Sequence, residues 1–281
     1  MNWSRAKTIA IFFFVALNIS LATLVYIEGR QFVLSNAHQQ AITQVLADHE
    51  VSLGSSFVFM SHAPQRRMTL TDNNLNNRAL VSLFMSEPVG IHLEQTATGE
   101  IFATANERVV FEHERLRYSN LGLDLHFATE TDKRLRATQT IRGLGDAGRY
   151  FSLDINTLVD GTGQLAYRQI YRHRVIESNY MIFSFESGAL TEVVFNFRPV
   201  TGFFGEARAL RTTDEILLIA MRHLRELSAE PLTITQMDVV YRADAHGEAI
   251  ANPYYRVFVD TQAGQTKTLL INAYTGDIAR D

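Results

Sequence analysis

The chain has 281 residues, including 26 basic, 30 acidic and no cysteine residues. A disulfide framework, a cysteine zinc site and a lipidated cysteine are therefore excluded, so the protein must be stabilised by its own core. The first 30 residues hold three basic residues and one acidic residue, which leaves 23 basic and 29 acidic residues, a balance of −6, in the remainder. This acidic balance argues against binding to nucleic acid.

An uncharged and largely apolar stretch runs from Thr8 to Ile27. As a helix, these twenty residues are about 30 Å long, which matches the hydrocarbon core of a bilayer. Arg5 and Lys7 precede the stretch, so the positive-inside rule predicts a cytoplasmic N-terminus and an extracytoplasmic remainder. Trp3 and Tyr26 lie near the two ends, where interfacial aromatic residues are expected.

A cleaved signal peptide is the alternative interpretation of this stretch. A signal peptide has a shorter apolar run that is followed by a small-residue cleavage site. Here the apolar run ends in Tyr26-Ile27-Glu28-Gly29-Arg30, which is a poor cleavage site. The sequence therefore predicts a single-pass protein of the cell membrane, with residues 1–7 as a cytoplasmic tail and residues 8–27 as an uncleaved anchor.

The predicted anchor carries small and polar residues that suit contact with another membrane helix. Ala16, Ser20 and Thr23 share one side, which gives a small surface for close helix approach. Asn18 lies roughly opposite, and an unpaired amide in hydrocarbon is costly. These four residues are therefore candidates for contact with a transmembrane partner. The alternative is that the Asn, Ser and Thr side chains bond to their own backbone.

Residues 28–50 are predicted to form a juxtamembrane helix or stalk, and a strand is predicted at Leu53–Met60. Two helices are predicted at Thr71–Ser86 and at Asp132–Leu144, the latter with Thr131 as its N-cap and with Leu135, Thr138 and Ile141 on one face. A third helix begins near Thr212, because Thr212 and Glu215 have the spacing of a capping box.

The remaining runs have the alternation and turn residues that are typical of strands. They fall within 91–127 and at Tyr150–Leu158, Leu165–Val175, Tyr180–Phe185, Thr191–Pro199, Thr233–Arg242, Tyr254–Asp260 and Thr266–Asn272. Because no βαβ rhythm is present, we predict an α+β fold in which antiparallel sheets are each packed by single helices. Thr98-Gly99-Glu100-Ile101 and Thr275-Gly276-Asp277-Ile278 are similar. This repeat suggests two similar external subdomains, at 51–128 and 129–281.

Gly143 to Gly148 matches the dinucleotide-binding fingerprint letter for letter. That fingerprint works when its glycines follow a strand and open a helix whose N-terminus holds the pyrophosphate. Here the glycines end a predicted helix and lead into a predicted strand. We therefore interpret them as a flexible connection and predict no cofactor site.

Three acidic stretches were candidates for metal or acid–base chemistry. Asp244, His246 and Glu248 alternate around Gly247, which fits a hairpin tip better than a cation site. The stretch that starts at Asp72 lacks the glycine and the final glutamate of an EF-hand loop. Glu112 and Glu114 share a strand face, which a charged outer face explains equally well. No catalytic residue and no metal ligand is assigned.

The two ends of the chain resemble a known family. The opening Met1-Asn2-Trp3-Ser4-Arg5-Ala6-Lys7-Thr8-Ile9 resembles the start of the YycI family, in which Asp commonly stands in place of Asn2. The runs Pro253–Phe258 and Leu270–Ile278 are similar to the closing hairpin of YycH/YycI-like and PepSY-like domains. The resemblance in layout covers the full chain, whereas the residue-level matches are confined to the two ends.

The resemblance implies a regulator without enzymatic activity or cofactor. YycI-like proteins pair with a YycH-like protein, and their membrane helices contact the sensor histidine kinase of the WalK/WalR cell-wall system. Such a protein acts by shifting an existing equilibrium of the kinase. The expected partners are thus a YycH-like protein, a WalK-type kinase and the membrane, with no nucleic acid and no small-molecule substrate.

Two other functions remain as alternatives. The first is a PepSY-like inhibitor or binding module for an extracellular peptidase or a cell-wall ligand. The second is an anchored hydrolase with a metal at Asp244, His246 and Glu248. Phe203 and Phe204 are candidate contact residues on the surface, or core residues beneath the third helix.

Overall fold

The computed structural model describes residues 7, 11–21, 35–72, 77–85, 90–97, 99–112, 115–123, 125–227, 230–243, 249–262 and 264–279. Over these residues the protein is a mixed α+β protein with a large sheet and few helices. Two compact units can be distinguished. Unit 1 comprises Met1–Gln65, Arg208–Asp238 and Arg256–Asp281, and unit 2 comprises Arg66–Ala207 and Val239–Tyr255. Residue 128 lies inside unit 2, and the subdomain division suggested there stays a prediction.

The helices and strands are numbered in chain order. The helices are α1, which includes residues 11–21, α2 (Asn36–Asp48), α3 (Asn77–Phe84), α4 (Glu130–Gly143) and α5 (Thr213–Leu227), with a 3₁₀ helix at Gly145–Tyr150. The strands are β1 (Val51–Leu53), β2 (Gln65–Leu70), β3 (His92–Gln95), β4 (Gly99–Ala103), β5 (Glu107–Glu112), β6 (Arg115–Asn120), β7 (Phe151–Asn156), β8 (Gly163–Tyr171), β9 (Arg174–Glu186), β10 (Ala189–Asn196), β11 (Val200–Arg208), β12 (Leu232–Ala243), β13 (Ile250–Thr261) and β14 (Thr266–Asn272).

Unit 1 is built from α2 and α5 together with β1, β14 and parts of β12 and β13. Strand β1 pairs in parallel with β12, in the register Val51 to Leu232, and β14 pairs with β13. Helix α2 contacts both α5 and β1. The core takes its side chains from every one of these elements, because each of them presents at least one apolar face. Its buried residues include Ile42, Leu46, Val51, Ile216, Ala220, Leu224, Ile234, Val257 and Ile271.

Unit 2 contains a continuous antiparallel series of strands in the order β7-β8-β9-β10-β6-β5-β4-β3. The predicted antiparallel pairing is confirmed for this series. Strand β12 also pairs with β9 at Val240 and Val175, and that pairing is parallel. Helices α3 and α4 pack on the sheet through one large core. Its members include Leu80, Phe84, Val109, Tyr118, Ala137, Ile141, Phe183, Val193 and Phe195.

Helix α4 begins two residues earlier than the sequence predicted. Its N-cap is Thr129, and the prediction of Thr131 was wrong. Thr129 Oγ accepts a hydrogen bond from Asp132 N at 3.1 Å, and the Asp132 carboxylate accepts one from Thr129 N at 3.2 Å. This reciprocal pair satisfies two N–H groups that the first helical turn would otherwise leave unpaired.

The buried face of α4 also differs from the prediction. Ile141 is buried as predicted, but Leu135 is 54% exposed and the buried Ala137 was not predicted. Lys133 is buried as well, because its ammonium donates to the carbonyl of Phe127 at 3.0 Å. The spacing of apolar residues therefore predicted part of the buried face wrongly. Lys133 occupies a core position, because its aliphatic stem is buried while its ammonium is hydrogen-bonded.

Other predicted helix and strand boundaries also differ from those of the structure. The strand predicted at Leu53–Met60 was wrong beyond Leu53, because the chain turns at Gly54, whose carbonyl accepts from Phe57 N at 2.9 Å. Strands β2 and β11 were not predicted. Helix α5 is present as predicted, and one of the two bonds of the predicted capping box is observed, with Thr212 N donating to Glu215 Oε2 at 3.3 Å. Helix α3 is described from Asn77, and residues 73–76 of the helix predicted there lie outside the described residues.

Replacement of the observed N-cap should be more costly than replacement of the predicted one. Thr129→Ala removes the cap of α4, so we expect its free energy of unfolding to fall by about 1 kcal/mol. Thr131→Ala is the matched control, because Thr131 is exposed in the first turn, and we expect a change within about 0.5 kcal/mol. Urea unfolding of the full-length protein in detergent micelles measures both values. Equal losses in the two variants would contradict this assignment of the cap.

Candidate functional site

The predicted anchor lies only partly within the described residues. Ala16, Asn18 and Ser20 are exposed residues of α1, and Lys7 is helical and exposed. Asn18 Nδ2 donates to the carbonyl of Phe14 at 2.9 Å, which is the bond to the helix's own backbone that the sequence left open. Contact of this helix with a partner stays a prediction. Thr23, Trp3, Arg5 and Tyr26 lie outside the described residues.

No helix among the described residues has both the length and the apolar character that crossing a membrane requires. Residues 8–10 and 22–27 of the predicted span lie outside the described residues. The membrane location of the chain therefore stays a prediction.

The candidate acidic sites give no metal centre in the part of the chain that the structure describes. Within it, no group of three or more His, Asp or Glu side chains is arranged to hold a metal ion. Asp244, His246, Glu248 and Glu114 lie outside this part, and Glu112 is an exposed residue of β5. Asp72 Oδ1 lies 3.6 Å from the guanidinium of Arg198, as an ion pair.

The glycine-rich segment connects α4 to β7 through the 3₁₀ helix, as the sequence predicted. A Cβ atom on Gly148 would lie 1.8 Å from the carbonyl oxygen of Ile141, so only glycine permits the chain to pack this closely. The segment has a structural role in positioning the 3₁₀ helix.

A groove of about 570 Å³ lies beside this 3₁₀ helix, within unit 2. Its volume falls in the range of small-ligand and side-chain pockets. Its walls come from the 3₁₀ helix, from the end of β8 with the following turn, and from the connection between β10 and β11. The lining residues are Asp146, Ala147, Tyr150, Gln169, Ile170, Tyr171, Arg172, Phe197, Pro199 and Val200. The groove is thus apolar over most of its surface, with a few polar groups.

The turn at one wall of the groove has a strained backbone. Arg172 and His173 join β8 to β9, and both have a positive φ, of 46° and 63°. Two such residues define a type I′ hairpin turn, in which Asn and Gly are strongly preferred. A left-handed conformation at a residue with a Cβ costs about 1–2 kcal/mol. Backbone strain of this kind concentrates at functional sites, so the turn marks the groove as a candidate site.

Arg172 is held over two aromatic rings. Its guanidinium carbon lies 5.6 Å from the ring centre of Tyr171 and 6.0 Å from that of Phe203. Within the described residues no carboxylate forms an ion pair with Arg172, so its charge is available to a ligand. Phe203 packs against the buried cluster that contains Tyr241, whereas Phe204 is 47% exposed beside Arg67. Phe204 is thus a surface residue, as in the first alternative, whereas Phe203 packs on a buried cluster that contains no residue of α5, so the position beneath the third helix was wrong.

A second cavity, of about 700 Å³, lies on the other side of the 3₁₀ helix. Asp146 lines both cavities, and Tyr167 lines only the second. Burial raises the pKa of the Tyr167 phenol, although a hydrogen bond with Thr138 and the nearby charge of Arg134 act in the opposite direction. Tyr167 is therefore neutral at physiological pH and can act there as a hydrogen-bond donor.

The side chain of Asn179 links two of the segments that form the walls of the groove. Its side chain is fully buried, and Nδ2 donates both to Gln169 Oε1 at 2.7 Å and to the carbonyl of Arg198 at 2.6 Å. Its Oδ1 accepts from Arg198 N at 3.0 Å. One amide on β9 therefore ties β8 to the connection between β10 and β11, which carries two of the lining residues, Phe197 and Pro199.

Arg168 forms a separate buried network that we interpret as structural. Its guanidinium contacts Asp154 Oδ2 at 3.2 Å and Glu177 Oε1 at 2.7 Å. The same group lies 5.7 Å from the ring centre of Tyr180. Because both carboxylates and the ring surround this one guanidinium, the network holds β7, β8 and β9 together and offers no free charge to a ligand.

In unit 1, His38 Nε2 on α2 lies 3.0 Å from Asp214 Oδ2 on α5. Burial raises the pKa of the Asp214 carboxyl, but hydrogen bonds from Thr212, His38 and its own N–H outweigh this effect and hold the pKa below its ordinary value. The lowered pKa therefore keeps the side chain of Asp214 in its charged form, which pairs with α2. The stability it contributes is present above the ordinary carboxyl pKa and is lost as the pH falls through the lowered value.

Comparisons with known proteins show a shared fold and no family. No family model matches the chain, and no curated protein sequence matches it. An uncharacterized protein from Eubacterium rectale ATCC 33656 aligns over 83% of this chain and 91% of its own, with a TM-score of 0.52 and 8% identity. The C-terminal domain of YpeB from Bacillus megaterium aligns over 75% and 97%, with a TM-score of 0.38 and 11% identity. The first likeness extends to the fold alone, and the second is too distant to support an argument.

The sequence did not identify the groove. Leu165–Val175 was predicted as one continuous strand, so the turn at Arg172 and His173 was missed. Neither residue is a turn former, and the polar residues Arg168, Gln169 and Arg172-His173-Arg174 are spread along the run without marking a turn. The length of the run, which exceeds the usual strand, was the one signal that could have indicated a hairpin.

Removal of the Asn179 amide should destabilise unit 2 more than removal of a neighbouring one. In Asn179→Ala, the buried N–H of Arg198 and the buried amide of Gln169 lose their partners, so we expect a loss of about 3 kcal/mol in the free energy of unfolding. Asn196→Ala is the control, because the side chain of Asn196 makes one hydrogen bond within the described residues, to the carbonyl of Ser178 at 2.7 Å. We expect its free energy of unfolding to fall by about 1 kcal/mol. Urea unfolding of the full-length protein gives both values. A loss in Asn179→Ala no larger than in the control would contradict the role assigned to this amide.

Proposed function

We propose that this protein is a membrane-anchored binding protein that acts through protein–protein contact. In this proposal, residues 8–27 span the cell membrane with the N-terminus in the cytoplasm, and the remainder is extracytoplasmic. The observation that supports the binding function is the groove of unit 2, which combines an apolar surface, a strained turn and the guanidinium of Arg172, which has no ion pair within the described part of the chain. Pockets with mostly apolar walls and a few convergent polar groups are typical ligand sites.

The specific form that we favour is a regulator of a WalK-type sensor histidine kinase that acts with a YycH-like partner. Its support is the resemblance of residues 1–9 to the YycI family and the small and polar residues of the anchor. Ala16 and Ser20 are four residues apart, so they share one face of α1 and permit a close approach by a second helix. A helix contact of this kind would bias the arrangement of the spanning helices of the kinase.

The second form is a PepSY-like inhibitor or binding module for an extracellular peptidase or a cell-wall ligand. The observation that favours it is that all ten residues of the groove belong to unit 2. A site of this kind requires no contribution from the anchor. The two forms thus differ in whether binding depends on residues 8–27.

Capture of partners from membranes of the native host tests the proposal. The tagged full-length protein is recovered after mild solubilisation, and its partners are identified by mass spectrometry. Ala147→Phe fills the groove, so we expect it to lower the recovery of an external partner at least several-fold, whereas Ala105→Phe, in an exposed turn, should not. Leu in place of Ala16, Asn18, Ser20 and Thr23 should abolish recovery of a kinase while the protein still inserts.

The outcomes separate the two forms. A YycH-like protein and a kinase that are both lost with the leucine anchor support the regulator. A secreted peptidase that is lost only with Ala147→Phe supports the binding module. Unchanged recovery of every partner with Ala147→Phe would show that the groove has no role in binding.

A further inference from the structure

The second cavity, of about 700 Å³, has a basic wall that is formed by two arginines. Arg142 lies in the last turn of α4 and Arg149 lies in the last turn of the 3₁₀ helix, and both line this cavity. Within the described part of the chain neither arginine forms an ion pair, although Asp146 lines the same cavity. The cavity therefore presents two guanidinium groups whose donors are available to a ligand.

The packing of the 3₁₀ helix on α4 places these two arginines side by side. A Cβ atom on Gly148 would overlap the carbonyl oxygen of Ile141, so the backbones of these two residues are in direct contact. Arg149 and Arg142 are the next residues of the two segments, and this contact holds them on adjacent parts of the cavity wall. Positive charges that are held close together repel each other, and an anion bound between them removes this repulsion.

Tyr167 adds a neutral hydrogen-bond donor to the same cavity. Burial raises the pKa of its phenol, so the side chain keeps its proton at physiological pH. The hydrogen bond with Thr138 lowers this pKa, as expected when Thr138 donates to the phenol oxygen. The O–H of Tyr167 is then left to donate to a ligand. Arg134, which is also close to the phenol, pairs instead with Glu130 at 2.7 Å.

The remaining groups of the cavity suit a ligand with several hydroxyl groups. Thr138 and Ser152 supply hydroxyl groups, and the carboxylate of Asp146 accepts hydrogen bonds. Phe151 and Leu153 supply apolar surface. The volume is in the range of small-molecule sites and is much larger than an inorganic anion requires. A sugar ring has the matching combination of hydroxyl groups around its edge and apolar C–H groups on its faces.

We propose that this cavity binds a sugar that carries an anionic group, either a phosphate or a carboxylate. The anionic group lies between Arg142 and Arg149 and accepts a hydrogen bond from Tyr167, while the sugar hydroxyl groups bond to Ser152 and Asp146. Guanidinium groups form bidentate pairs with phosphate and carboxylate alike, so the site selects the charge and the experiment identifies the anionic group. The cavity is separate from the groove, and this inference goes beyond the proposed function.

Isothermal titration calorimetry of the full-length protein tests this inference, in phosphate-free buffer and in micelles of a detergent without a sugar headgroup. The ligands are glucose 6-phosphate, glucuronate, glucose and inorganic phosphate. The first two carry the two anionic groups on the same ring, and each of the others lacks one part of the ligand. We expect at least one anionic sugar to bind about tenfold more tightly than both glucose and inorganic phosphate. Equal binding of glucose or of inorganic phosphate, or no binding of either anionic sugar, would overturn the inference.

Variants of the protein locate the contact. Arg142→Gln and Arg149→Gln should each weaken binding of the anionic sugar about tenfold, because each removes a charge-assisted hydrogen bond. Tyr167→Phe keeps the buried ring and removes the O–H, so we expect a similar loss. Arg108→Gln, at an exposed arginine of β5, removes the same charge outside the cavity and should leave binding unchanged. No loss in either cavity arginine variant, or an equal loss in Arg108→Gln, would overturn the inference.

Failure of this inference can be distinguished from failure of the proposed function. Capture of a protein partner is tested with Ala147→Phe, and Ala147 lines the groove but not the second cavity. The titrations with sugars involve no protein partner. Each proposal therefore stands or falls on its own measurement.

Discussion

The geometry of the candidate site depends on one buried amide. Asn179 lies on β9 and holds both Gln169 and the backbone of Arg198, so it fixes two of the three walls of the groove. A buried amide is stable only when its donors and its acceptor are satisfied, and an unpaired one costs more than the bond contributes. The core around it therefore tolerates little change, and Phe197 and Pro199 line the groove in a fixed arrangement.

The groove is in turn formed by elements whose positions the sheet determines. Strand β9 pairs with β8 on one side and with β10 on the other, so residues far apart in sequence meet at its N-terminal end. The 3₁₀ helix closes the third wall, and its close approach to α4 requires the absence of a side chain at Gly148. The tertiary structure therefore explains the presence of this glycine, which a motif search would have assigned to nucleotide binding.

The sequence predicted those parts of the fold that depend on local signals. Helix α5 was predicted because its cap and its apolar face are both encoded within a few residues. Strand β14 was predicted with the observed ends. The N-cap of α4 was missed because Thr129 and Thr131 are equivalent in sequence, and only the reciprocal bond with Asp132 distinguishes them. The groove could not be predicted, because its residues come from three separate segments and its turn uses Arg and His where turn formers are expected.

We propose that the groove of unit 2 is the binding surface for a partner protein. Hydrogen–deuterium exchange of the full-length protein, alone and in complex with the partner it captures, tests this most directly. We predict that the partner protects the amides of the 3₁₀ helix Gly145–Tyr150 and of the turn at Arg172 and His173, because these segments form two walls of the groove. Protection confined to other surfaces, such as the exposed strand β3, with no change in these two segments, would contradict this prediction.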